Sequence, residues 1–132
     1  MIYLDTSVLL AWLLAEDRRP DDTLWTQTLV ASRLLEHEVW TRLHARNLSD
    51  SLGESARNLL GRVAFVELAP RVLGRALEGF PLPVRTLDAL HLASFSFLLE
   101  SGQAPRLASY DRRMLDVAQA LGWPLAALEN SP

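Results

Sequence analysis

Apolar residues fall along this chain in two alternating rhythms. Short compact runs at 2–4, 28–31, 63–68, 106–109 and 125–128 predict strands, several of them rich in β-branched or aromatic residues. Between them, apolar positions recur near the spacing of one helix face. This predicts helices over 8–14, 32–46, 51–60, 72–78, from Thr86 to Gly102, and 111–121. Punctuation agrees with this parsing. Asp5, Thr6 and Ser7 offer caps for the first helix, Ser32 for the second and Thr86 for the fifth, while Gly79, Gly102 and Gly122 mark helix ends. Pro81 and Pro83 break the loop before Thr86, and the charged, Pro-containing stretch 16–22 reads as a loop. The helix beginning at Thr86 is apolar on nearly every side, so it must be buried by a sheet on one flank and by a further partner on the other. Strand alternating with helix implies an α/β domain with a mostly parallel sheet.

Composition narrows the picture without redirecting it. The chain has 132 residues, 49% of them apolar and 22% charged, which suits a single globular domain spanning 1–132. It has no cysteine, which excludes disulfides, thiolate metal sites and thiol nucleophiles. No apolar run reaches the roughly 20 residues of a membrane span, and the first residues lack a basic leader, so a cytoplasmic protein is expected. Net charge is −3 and all 13 basic residues are Arg. An acidic chain is not an obvious nucleic-acid binder, but carboxylates that take up divalent cations reverse the local sign. Arg can then grip phosphate through its planar fork.

Two acids stand where ligands meet parallel sheets, and two more lie on helices. Asp5 ends the first predicted strand, and Asp111 follows the strand at 106–109. Ligands bind beyond the carboxyl ends of such strands. Asp88 lies in the first turn of its helix, and Glu38 about two turns into another, with Glu36 as its rival on a different face. Each has an ordinary reading as well. Asp5 and Asp111 can be helix caps, Asp88 a dipole acid, and Glu38 a surface partner of Arg42. Spacing alone does not say whether they converge. If they do, an all-oxygen cluster suits a hard ion such as Mg2+ or Mn2+.

Four blocks occur in order: Leu4-Asp5-Thr6-Ser7; Ser32 to Glu38; Leu87-Asp88-Ala89-Leu90-His91-Leu92-Ala93; and Ser109-Tyr110-Asp111-Arg112-Arg113. With Ala118 and Gly122 they resemble the PIN domain, most closely the VapC-type toxins of toxin–antitoxin pairs. The resemblance runs from Ile2 to about residue 128. It implies a three-layer α/β/α fold around a mostly parallel sheet of four to five strands. It also implies a Mg2+- or Mn2+-dependent endoribonuclease, with Asp5, Glu38, Asp88 and Asp111 as the catalytic, metal-holding acids. Thr6, Ser7 and Ser109 would orient those acids or a water; the family usually has Thr where Ser109 stands. Block alignment favours Glu38 over Glu36.

The partners implied are an RNA substrate, a cognate antitoxin and a second copy of the chain in a homodimer. Arg112, Arg113 and Arg85 are candidates for RNA phosphates, although they can equally be solvated or face the antitoxin. Arg18, Arg19, Arg42 and Arg46 share that ambiguity. His91 reads as structural, on an apolar helix; His37 and His44 have no metal-ligand spacing. Trp12 is assigned to the core, Trp25 to core, dimer or antitoxin contact, and Trp40 and Trp123 to packing. The rivals are a housekeeping PIN nuclease without antitoxin, a PIN-fold binding domain that has lost catalysis and, more distantly, a metal-dependent phosphatase.

Overall fold

A computed structural model describes residues 1–128. Strands β1 (Ile2–Leu4), β2 (Leu29–Ser32), β3 (Val63–Val66) and β4 (Arg106–Ala108) form one sheet in the order β3-β2-β1-β4, with every pair parallel. The chain therefore builds outward from β1 through β2 to β3, then returns to add β4 on the other side of β1. The reversal of strand order lies between β1 and β4.

Alternation along the strands separates two cores. Ile2 and Leu4 of β1, with Leu29 and Ala31 of β2, face α1 (Thr6–Leu13), α2 (Leu34–Ala45) and α3 (Ser49–Leu60). Tyr3 and Val30 face the opposite way, onto α4 (Pro70–Leu77), α5 (Thr86–Glu100) and α6 (Arg112–Ala120). Helices cover both faces, which is why β1 and β2 are buried at every position rather than on alternate ones. The result is the three-layer α/β/α arrangement with a parallel sheet.

The structure corrects several sequence expectations at element ends. The run 125–128 is not a strand; Leu125 makes a single parallel bridge to Leu107, held by Leu107 N–H donating to Pro124 O and Ala126 N–H to Leu107 O. The fourth expected strand ends at Ala108, which frees Ser109 from the ladder. Thr86 is the first residue of α5 rather than its cap; Arg85 occupies the cap position, without a side-chain cap bond. The 16–22 loop ends in a short 3-10 helix that begins within it, at Asp22–Thr26, with Asp21 accepting a hydrogen bond from Thr23 N–H. Ser32 ends β2, and its Oγ accepts from Leu34 N–H at the start of α2.

The tryptophans pack. Trp12 and Trp25 meet edge to face at 5.5 Å, and Trp123 stacks on Phe95 at 4.7 Å. Trp40 lies against Gly53, where an added Cβ would come within 3.3 Å of the indole. Among the described residues no helix is long and apolar enough to cross a membrane.

Candidate active site

Beyond the carboxyl ends of β1 and β4, at the reversal of strand order, lies a cleft of about 680 Å3. Asp5, Glu38, Asp88 and Asp111 all line it, as do Thr6, Ser7 and His91. The four acids arrive from separate segments. Asp5 links β1 to α1, Glu38 projects from α2, Asp88 from the first turn of α5, and Asp111 precedes α6. A larger groove of about 800 Å3, between α4 and the start of α5, is mainly apolar and contains none of these acids.

Asp5 is 5% exposed, and its backbone N–H donates to Ala108 O at 3.0 Å, stitching β1 to β4. Its carboxylate makes no helix-capping bond. Instead Oδ2 accepts from Ser7 Oγ at 2.6 Å and Ser109 Oγ at 2.8 Å. Those hydroxyls in turn accept backbone N–H groups, Tyr110 N–H onto Ser7 at 3.0 Å and Asp111 N–H onto Ser109 at 2.9 Å. Asp5 is thus fixed by a network that also shapes the loop leading to Asp111. Asp111 does cap its helix, with Oδ1 accepting from Arg113 N–H at 2.9 Å and Met114 N–H at 3.4 Å. The ordinary role and the cleft-lining position coexist in that residue.

On α2, Leu35, Val39 and Leu43 are fully buried, and Glu38 flanks that apolar stripe at the cleft edge. Two positions correspond to about 200° around a helix. Glu36 consequently points away and pairs with Arg33 at 3.2 Å. Glu38 Oε1 accepts from Thr6 Oγ1 at 2.8 Å and also contacts His91 Nε2.

The electrostatics are those of crowded negative charge. Burial, then the charges of Asp111 and Asp5, push the Asp88 carboxyl above its ordinary value. Burial alone would lower the pKa of His91, but the hydrogen bond and charge of Glu38, followed by Asp5 and Asp88, raise it overall. Among the described residues no three carboxylates or imidazoles are gathered as a ready ligand set for one ion. The acids face a common space and repel one another across it. A cation entering that space relieves the repulsion, and oxygen donors without thiols favour a hard one.

A second cleft of about 670 Å3 shares Glu38, Asp88 and Asp111 with the first and adds Arg85, Thr86, Arg112 and Arg113. The three predicted phosphate-binding arginines therefore stand together at one side of the acids. Arg112 is partly engaged, its Nε donating to Asp116 at 2.9 Å. The sequence reading missed the contact of His91 with Glu38, and it gave no role to Tyr110, which also lines the main cleft. The spacing held a signal for the first, since Asp88 and His91 are three apart on α5 and share a face.

The PIN domain matches residues 2–120. The chain is 32% identical over 130 residues to "Ribonuclease VapC46" of Mycobacterium tuberculosis (strain ATCC 25618 / H37Rv), covering 96% of each chain. It is 29% identical over 133 residues to "Ribonuclease VapC47" of Mycobacterium tuberculosis (strain CDC 1551 / Oshkosh), again covering 96% of each. With the match to that domain extending over most of its length, the chain belongs to the PIN-domain family.

Proposed function

We propose that the protein is a VapC-like toxin, an endoribonuclease that depends on Mg2+ or Mn2+, works as a homodimer in the cytoplasm and is held inactive by a cognate antitoxin. The observation that carries the nuclease reading is the meeting of Asp5, Glu38, Asp88 and Asp111, from four segments, in one cleft at the strand-order reversal. Two relatives that carry the name ribonuclease along nearly their whole length support it.

In this reading Asp5, Glu38, Asp88 and Asp111 would hold one or two divalent ions, which when bound would supply a water of lowered pKa and positive charge for the phosphodiester oxygens. Ser7 and Ser109 fix one oxygen of Asp5, and Thr6 fixes one oxygen of Glu38. Arg85, Arg112 and Arg113 hold the RNA backbone beside the acids, so that water attacks phosphorus in line as the 3′-oxygen leaves. The retention of all four acids speaks against a silent binding domain.

Purified protein given Mn2+ or Mg2+ should cut structured RNA, and Asp5→Asn should not. Equal cutting by both proteins would sink the assignment. Co-expression with the product of a short adjacent reading frame tests the antitoxin, which should co-purify and suppress cutting.

A further inference from the structure

His91 is 2% exposed on an otherwise apolar stretch of α5, flanked by Ala89, Leu92, Ala93 and Phe95. An aliphatic side chain would fill that place without burying a ring that needs hydrogen bonds. One ring nitrogen, Nδ1, is buried with no hydrogen-bond partner in the structure. The other, Nε2, meets Glu38 Oε1. A ring N–H donates and a carboxylate oxygen accepts, so the pairing that uses both groups has Nε2–H as the donor. The polar purpose of this ring is thus a single contact.

That contact reaches the oxygen that also accepts from Thr6. Donors from α1 and α5 converge on Oε1 of a carboxylate carried by α2, which fixes the rotation of the group. Among the described residues nothing hydrogen-bonds Oε2. Because α5 also carries Asp88, the same helix supplies one acid to the cleft and steadies another.

We infer that His91 is a positioning residue for Glu38, clamping Oε1 together with Thr6 so that Oε2 is presented to a divalent cation in the cleft. This rests on the metal reading of the site. His91 does not touch the ion; it acts through Glu38.

The test is calorimetric titration of Mn2+ into the wild type, His91→Leu and His91→Gln, with the melting temperature of each apo protein measured alongside. His91→Leu removes the donor and should weaken Mn2+ binding about tenfold or more. His91→Gln returns an N–H donor at comparable reach and should recover most of that loss. In a Glu38→Gln background, His91→Leu should cause no further loss. A purely structural histidine would change the melting temperature and leave affinity untouched. Folded His91→Leu with wild-type affinity overturns the inference while the metal reading stands; a wild type that binds no Mn2+ overturns the metal reading itself. If His91→Leu does not fold, NMR of the wild type decides. A slowly exchanging, far-downfield ring N–H proton that shifts in Glu38→Gln supports the clamp, and its absence overturns it.

Discussion

Ser109 Oγ donates to Asp5 Oδ2 at 2.8 Å across 104 positions of sequence, and accepts Asp111 N–H at 2.9 Å. One hydroxyl therefore joins the end of β1 to the loop that follows β4, the two strands between which the sheet reverses order. It orients one acid directly and fixes the backbone of another. A group that donates to a buried carboxylate and accepts from a main-chain amide has no apolar substitute.

Ser109→Ala should lower stability by about 1–3 kcal/mol, because it takes a charge-assisted bond from Asp5 and an acceptor from Asp111 N–H. Ser109→Thr keeps the hydroxyl and should stay within about 1 kcal/mol of the wild type if the added methyl is accommodated. Urea unfolding of the three proteins checks both. An alanine variant as stable as the wild type would mean that the network is not coupled to folding.

Asp88 gives the apo protein a pH dependence whose sign follows from its raised pKa. With the folded value above the unfolded one, the contribution favours folding at low pH. It is lost as pH rises from about 4 through the folded value. Asp88→Asn should remove that loss, so the apo variant should melt higher than the wild type near pH 7. Melting curves in chelator across the pH range read this directly. The same variant should lose the stabilisation that Mn2+ confers on the wild type, which is about 2.7 kcal/mol at a hundredfold excess over Kd.

Much of this arrangement was legible because the sheet leaves simple marks. Ile2-Tyr3-Leu4 stands out as a strand because both of its faces are covered, and Asp5 stands out because a carboxylate abruptly ends that run. The ordered blocks around Asp5, Glu38, Asp88 and Asp111 located the acids but not their mutual distances, since the connections between them are long. The 3-10 helix at Asp22–Thr26 is too short for any periodicity to show. At 125–128 an apolar run resembles a strand, but with β4 only three residues long, pairing contracts to the bridge at Leu107. His91 was legible only in part, since it lies one turn after Asp88 but among apolar neighbours that favour a structural reading. Its apolar neighbours describe the helix correctly, and only the fold brings Glu38 against its ring.

Tyr3 ties the sheet to α5 from the other core. Its ring is wholly buried, meets Phe95 edge to face at 5.5 Å, and its hydroxyl donates to His91 O at 2.8 Å. Burial pushes its pKa upward, so the phenol remains a neutral donor. Tyr3→Phe keeps the packing but removes that hydrogen bond, and should cost about 0.5–1.5 kcal/mol in chemical unfolding. Tyr3→Leu loses the aromatic contact as well and should cost more; equal losses in the two variants would assign the whole effect to the hydroxyl.

The three arginines beside the acids should contribute unequally to RNA binding. Arg112 spends part of its hydrogen-bonding capacity on Asp116, whereas Arg85 and Arg113, which line the same cleft, form no ion pair among the described residues. Arg85→Ala and Arg113→Ala should therefore raise KM for RNA more than Arg112→Ala does, and should leave kcat closer to the wild type than Asp5→Asn. Removing a true phosphate contact also reduces the slope of log affinity against log salt by about 0.7 on single-stranded RNA. Binding measured at several salt concentrations, with Asp5→Asn as the background to prevent cutting, separates a phosphate contact from a general loss of charge. An unchanged slope in both Arg85→Ala and Arg113→Ala would move the RNA path off this face of the cleft.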